Sequence, residues 1–324
     1  MRAVRYERFG TPDVLEVVEI AEPVPDAGEV KVKIFAASLA PLDWKIRAGH
    51  LRLMPMFARP PRTVGVELAG EIVGVGGGPG PRHVGERVFG SLSPFRRDGT
   101  CAEYAVIAAH RAVPIPAGVS YEHAAVTPVG GGTAVQALCD DANVSAGQRI
   151  LIIGAAGGVG HFAVQMAKHL GAYVVATCSA ANLAFVSELG ADEVLDYANE
   201  DVTARSDRFD VVFDAAAAIG WQRAKSLLVR GGLYLGTGGS ASSAIGTAAA
   251  GLLAPILDGT RARTFLLKDG GASCRRLADL LAAGVLKPHI AHRASLEQVA
   301  DAQRRMESGH GRGKTVVLPH GHVL

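Results

Sequence analysis

Gly154-Ala155-Ala156-Gly157-Gly158-Val159-Gly160 is the segment best suited to chemistry, because of what stands on either side of it. The apolar run Arg149-Ile150-Leu151-Ile152-Ile153 precedes it, and a helical pattern closing at Leu170-Gly171 follows. A buried strand, a turn without side chains and a helix start make an anion cradle. Bare N–H groups can approach a pyrophosphate there, and the helix end adds partial positive charge. A dinucleotide is the expected guest. With 40 Gly in the 324 residues, glycine spacing alone has little weight, so the flanking strand and helix carry the reading.

An acidic residue is expected about 20 positions beyond such a loop when a free ribose 2′-hydroxyl is to be bound. None stands there: the next apolar run, Tyr173-Val174-Val175-Ala176-Thr177, leads into Cys178-Ser179-Ala180-Ala181-Asn182. A carboxylate would repel a 2′-phosphate, whereas Thr177, Ser179 and Asn182 offer it hydrogen-bond donors, so the segment predicts NADPH over NADH. The competing reading makes Ser179 an ordinary helix cap.

These loops need a parallel sheet to hold them. From about residue 119 the pattern alternates: strand 150–153, helix 159–170, strand 173–177, helix 182–189, strands 193–196 and 210–214, helix 221–229, strand 233–236 and strand 263–267. Such alternation predicts an α/β fold with a doubly wound parallel sheet. On the first helix Met166 shares a face with Val159, Ala163, Ala167 and Leu170, which makes it core filling. Upstream, short strands at 14–20, 29–36, 67–75, 87–89 and 102–108, punctuated by Gly and Pro, predict a β-rich, partly closed domain. The expected organisation is a catalytic domain at 1–118, a dinucleotide-binding domain at 119–269 and a return segment at 270–324 that packs on the first.

The bulk properties narrow the class. Lys and Arg total 33 against 31 Asp and Glu, a net charge of +2 that favours no nucleic-acid partner. The opening Met1-Arg2-Ala3-Val4-Arg5-Tyr6-Glu7-Arg8 is charged and alternating, as a strand is and a leader is not, which predicts a cytoplasmic protein. The least polar stretch, 244–257, is broken by Thr247, Gly251 and Pro255 and is too short for a bilayer, so no membrane association is expected. Cys101, Cys139, Cys178 and Cys274 lie far apart without metal-ligand spacing and read as reduced thiols. His320 and His322 stand in a polar tail and are given no role.

Several further motifs occur in a fixed order: Ala37-Ser38-Leu39-Ala40-Pro41-Leu42-Asp43-Trp44-Lys45-Ile46-Arg47-Ala48-Gly49, Gly65-Val66-Glu67-Leu68-Ala69-Gly70, Gly85-Glu86-Arg87-Val88 and Pro128-Val129-Gly130-Gly131-Gly132-Thr133-Ala134. The glycine loop, Gly190-Ala191-Asp192-Glu193-Val194-Leu195-Asp196-Tyr197 and Gly309-His310-Gly311-Arg312-Gly313-Lys314 complete the series. Over nearly its whole length the chain resembles the medium-chain dehydrogenase/reductase superfamily, and within it the zinc-independent NADPH:quinone oxidoreductase group. The resemblance implies a GroES-like catalytic domain, a Rossmann domain and a homodimer joined near residues 263–267.

Zinc-dependent members carry Gly-His-Glu where this chain has Gly65-Val66-Glu67, and their four-cysteine lobe is absent. The resemblance therefore implies no metal, and an acceptor that is already electron-poor: a quinone or a conjugated carbonyl, reduced by hydride from NADPH. By position in the family, Asp43 and Lys45 line the cleft near the nicotinamide, with Lys45 stabilising developing negative charge and Asp43 holding the lysine and the turn. Read on its own, Asp43-Trp44-Lys45 is rather a surface helix start with Asp43 as its N-cap. Carried over in the same way are Thr133 at the carboxamide, Gly157, Gly158, Val159 and Gly160 at the pyrophosphate, and Ser179, Asn182 and Tyr197 at the 2′-phosphate. Gly236 and Thr237 fall near the nicotinamide ribose, Phe265 and Leu267 on the next strand, and Lys314 at a phosphate. Ala40 departs from the family's usual Asn, which opens a second reading: a reductase of enone or enoyl double bonds in a biosynthetic intermediate. A third is an NADPH-binding protein without catalysis.

Overall fold

The computed structural model describes residues 1–54, 59–77, 80, 82–237, 259–265, 270–309 and 311–321. The N-terminal part builds strands β1 (Arg2–Tyr6), β2 (Glu16–Glu19), β3 (Glu29–Leu39), β4 (Arg62–Thr63), β5 (Glu67–Val75), β6 (Arg87–Ser91), β7 (Tyr104–Ala108) and β8 (Val113–Pro114), with helix α1 (Pro41–Arg47) after β3. In β3 the alternation Val30, Lys31, Val32, Lys33, Ile34 buries the three apolar side chains completely and leaves the lysines partly in solvent. The strand pairs with β5 on one side and then delivers the chain to Ala40 and Pro41, where a fixed φ suits the first turn of α1.

Helices α2 (Tyr121–Ala125) and α3 (Pro128–Val135) lead to the alternating part: β9 (Arg149–Ile153), α4 (Gly160–His169), β10 (Tyr173–Cys178), α5 (Leu183–Glu188), β11 (Glu193–Asp196), β12 (Phe209–Asp214), α6 (Gly220–Ala224), β13 (Leu228–Thr237) and β14 (Arg261–Phe265). The six strands lie in the order β11-β10-β9-β12-β13-β14, every neighbouring pair parallel. This is the doubly wound order, reversing direction between β9 and β12. The expected helix over 221–229 is shorter. It gives way to a 3-10 turn at Lys225–Leu227, and Leu228 already pairs with Phe209 as part of β13. The apolar run Leu227-Leu228-Val229 suits either period, and pairing with β12 decides it.

The C-terminal part contributes α7 (Gly270–Ala282), β15 (Ile290–Ala294), α8 (Val299–Glu307) and β16 (Lys314–Val317), and β16 adds to the free side of β3. Ala294, Leu296, Val299, Ala302 and Val317 share one apolar core with Val4, Val32 and Ile34. Two compact units result: Met1–Val129 with Asp269–Gly284 and Pro288–Leu324, and Gly130–Lys268 with Val285–Lys287. Residues 119–129 stay with the first unit because α2 packs on β3, β5 and β6. In the second unit Gln165 holds Lys287 on both backbone groups, donating to its carbonyl at 3.2 Å and accepting its N–H at 2.8 Å. No helix among the described residues is long and apolar enough to cross a membrane.

Candidate active site

In the second unit the expected contact residues gather at the carboxyl ends of the parallel strands. After β9 the chain turns at Gly154 with φ +74°, a left-handed conformation that costs a side-chain residue strain. A Cβ on Gly160 would lie 2.2 Å from the Gly154 carbonyl oxygen, so the turn closes only around bare backbone. The N–H groups of Gly158 and Val159 donate no backbone hydrogen bond among the described residues, and Val159, at the start of α4, makes no side-chain cap. Two unengaged donors at a helix start are what a pyrophosphate requires. Helix α3 comes close to this turn: a Cβ on Gly130 would meet the Gly158 oxygen at 2.3 Å, and Thr133 on the same helix is buried.

The ends of β10 and β11 lie side by side, Cys178 paired with Asp196. Thr177 is buried, and its carbonyl accepts the Ala155 N–H at 3.0 Å, tying β10 to the glycine turn. Ser179 heads the 3-10 turn Ala180–Asn182, and Asn182 Nδ2 donates to Ser179 Oγ at 3.0 Å. Tyr197 follows β11 with about half its surface exposed, 51%, and its N–H donates to the Cys178 carbonyl at 3.1 Å. Ser179, Asn182 and Tyr197 therefore share one sheet end. Gly236 and Thr237 close β13, where Thr237 Oγ1 lies 3.2 Å from the Asp214 carbonyl and 2.9 Å from that of Ala215. Phe265 pairs in register with Thr237 at the end of β14; its side chain, and all of Leu267, lie outside the described residues.

Two carboxylates at these strand ends escaped sequence reasoning. Asp196 folds into its own turn, accepting from Ala198 N–H at 3.1 Å and Asn199 Nδ2 at 2.7 Å, and so shapes the segment that carries Tyr197. Burial first, and the Asp196 charge second, push the neighbouring Cys178 thiol up to about 11. Asp214, fully buried, accepts from the N–H groups of Ala218, Ile219 and Gly220 and from the Tyr234 hydroxyl. An Asp ending a buried parallel strand is the available signal for both.

The first unit holds Asp43 and Lys45 on α1. Asp43 is the third residue of the helix rather than its cap: its Oδ2 accepts the Ala40 N–H at 2.7 Å, while Ala40 itself stands at the cap position. Burial pushes the Asp43 carboxyl up to about 6, opposed by the Ala40 hydrogen bond, with Glu67 raising it further and Lys314 and Arg62 lowering it. The charges of Glu67, Lys314 and Arg62 act on Asp43. Lys45 is half-buried, with Nζ 5.8 Å from the Trp44 ring centre, and burial lowers its ammonium. Arg47, at the end of α1, is buried and donates to Gln303 at 2.9 Å and to Gly10 O and Glu307, which anchors the helix.

Lys314 departs most from expectation. It is buried, and its Nζ lies 2.6 Å from Glu67 Oε2, so the cation assigned to a phosphate instead neutralises an interior carboxylate. Val66 is buried beside Glu67. Among the described residues no group of three or more His, Cys, Asp or Glu could hold a metal ion.

The alcohol dehydrogenase GroES-like domain family matches residues 26–117, and a zinc-binding dehydrogenase family matches 189–317. The quinone-oxidoreductase homolog of Spinacia oleracea chloroplasts is 36% identical, with 98% of both chains covered. The 2-methylene-furan-3-one reductase of Solanum lycopersicum is 32% identical over 98% of this chain and 79% of its own. The crystal structure of the Escherichia coli quinone oxidoreductase complexed with NADPH superposes with a TM-score of 0.86 at 26% identity, covering 98% of this chain and 100% of that one. The chain belongs to the quinone-oxidoreductase group of the medium-chain dehydrogenase/reductase superfamily and is an oxidoreductase.

Proposed function

We propose that the protein is an NADPH-dependent reductase that transfers hydride to a quinone or conjugated carbonyl without a metal. The observation that carries this reading is the pair of unengaged N–H donors at Gly158 and Val159, in a turn that only bare backbone can close. Thr133, Gly157, Gly158, Val159 and Gly160 would hold the nicotinamide and pyrophosphate; Thr177, Ser179, Asn182 and Tyr197 the adenosine 2′-phosphate; Gly236 and Thr237 the ribose side, with Phe265 and Leu267 as further cofactor contacts. NADPH bound there supplies the hydride. The E. coli relative's complex with NADPH supports the same cofactor here.

Val66 removes the imidazole that a catalytic zinc needs, so no Lewis acid polarises the acceptor and the charge must be met by the chain. Lys45, half-buried on α1, is the cation for that role: its ammonium stabilises the oxygen anion that develops on an enone or quinone. Partial burial strengthens the interaction and eases release of a proton from Nζ. Asp43 holds the turn by accepting the Ala40 N–H.

Ala40, buried where the family usually carries Asn, leaves the substrate region without that amide, and the similarity to the tomato 2-methylene-furan-3-one reductase favours conjugated carbonyls as a second class. We also assign a cytoplasmic location, and a homodimer supported by β14, which among the described residues is the edge strand of the six-stranded sheet. Loss of the NADPH absorbance is to be followed with simple quinones and with alkenals after prolonged chelation. Turnover of either class by zinc-free protein is the expected result. NADPH binding without turnover, or activity lost together with stoichiometric zinc, contradicts the reading.

A further inference from the structure

Three buried charges meet where β3 runs into α1. Strand β3 is flanked by β5 and β16, with Ser38 paired to Glu67 on one side and Leu39 to Thr315 on the other. Continuing that antiparallel register sets Lys314 opposite Ala40, the residue that begins α1. Glu67 and Lys314 reach each other at this strand end, 2.6 Å apart, at 0% and 4% side-chain exposure. The second oxygen of Glu67 accepts the Val129 N–H at 2.8 Å, in the first turn of α3. Asp43 holds the Ala40 N–H in the first turn of α1. Two helix starts are thus each held by a buried carboxylate, and one buried ammonium touches Glu67 and acts on Asp43 through its charge.

We propose that Lys314 is a positioning residue: its ammonium offsets the charge of the buried carboxylates Glu67 and Asp43 that hold the starts of α3 and α1, and so fixes the helix on which Lys45 stands. An uncompensated carboxylate in this interior would take up a proton and lose its strength as an acceptor of the helix N–H. The other ionisable groups around Asp43 are Arg62 on β4, Tyr6 on β1 and Cys101, besides Glu67. Tyr6 and Cys101 are pushed up chiefly by burial and stay neutral, and Arg62 donates to the Pro94 carbonyl at 2.7 Å. Lys314 is the cation that touches Glu67 directly.

The test compares Lys314→Met, Lys314→Arg and the double variant Glu67→Gln/Lys314→Met. Thermal unfolding of the protein alone is measured from about pH 5 to 8. Because burial raises the Asp43 carboxyl to about 6, ionising it in the fold costs stability: the pH-linked stability of the protonated form is fully present below the ordinary aspartate value and is lost as pH rises through 6, the cost at which the ionised cap is held. Without the cation the carboxyl rises further, so the decline of Tm in Lys314→Met extends above pH 6. With NADPH and a quinone or enone, Lys314→Met should lose kcat by roughly 10- to 100-fold through misplacement of α1. Lys314→Arg restores both readouts, and the double variant, which removes the orphaned charge, recovers most of each. The kinetic arm rests on the hydride-transfer reading; the unfolding arm uses neither cofactor nor substrate and fails on its own terms.

Unaltered Tm–pH behaviour together with unaltered kcat in Lys314→Met overturns the proposal. So does a rise in NADPH KM alone, which would make the lysine a phosphate contact. If Lys314→Met does not fold, the double variant decides: a folded double variant that stays inactive in a protein otherwise active counts against positioning.

Discussion

The glycine turn of the second unit and the charged cluster of the first do their work with opposite materials. The turn at 154–160 contributes backbone alone. The anion-binding role proposed for it would rest on N–H groups that donate no backbone hydrogen bond among the described residues, and side chains would only obstruct it. The cluster around α1 contributes side chains alone: Asp43, Glu67 and Lys314 come from strands and helices up to 271 residues apart (314 − 43), and none is informative without the others. A backbone site is specified by what is missing over seven consecutive positions. A site made of buried charge is specified by which strands lie next to one another.

The sharpest way to break this contrast is to add one carbon to the turn. Gly160→Ala places a Cβ 2.2 Å from the Gly154 oxygen, a contact that neither backbone segment can relieve. NADPH affinity should fall by more than about 3 kcal/mol, read by fluorescence titration, while the first unit's packing is untouched. Wild-type affinity in that variant would mean the turn does not carry the cofactor.

On the other side of the comparison, Lys45→Met removes a charge and keeps the length of the side chain. If α1 supplies charge rather than shape, kcat drops by roughly 2–4 kcal/mol in barrier terms and NADPH Kd is unchanged. Rates equal to the unaltered enzyme's with both quinones and enones would return Lys45 to a solvated helix residue.

The smallest effect is expected at the adenosine end, where backbone and side chains both contribute. Ser179→Asp introduces a carboxylate beside Asn182 and should weaken NADPH by about 1–2 kcal/mol while NADH holds or gains, so the preference reverses. Equal dissociation constants for the two cofactors before substitution would remove the basis of the 2′-phosphate assignment.

Much of the second unit was legible because its signals are local. Apolar runs of strand length followed by helical periodicity predicted β9 to β14, and the glycine pattern marked the turn after β9. The helix expected over 221–229 ended early because Leu228 found a partner strand in β12, which no local pattern reports. Asp196 and Asp214 were passed over for a related reason. An acidic residue at a strand end is an ordinary solvated group until pairing in the sheet buries it beside several N–H donors.

By itself the sequence determined the class of fold, the place of the glycine turn after β9 and the absence of a histidine at residue 66, because each follows from residue types at short spacing. Only the tertiary structure decided what the charges do. Glu67 and Lys314 are 247 residues apart in the chain and touch, and the Lys314 charge acts on Asp43 as well. The reason is burial. Removed from water, a carboxylate must take the nearest cation and N–H groups that the sheet delivers, and strand order, not spacing along the chain, sets which those are.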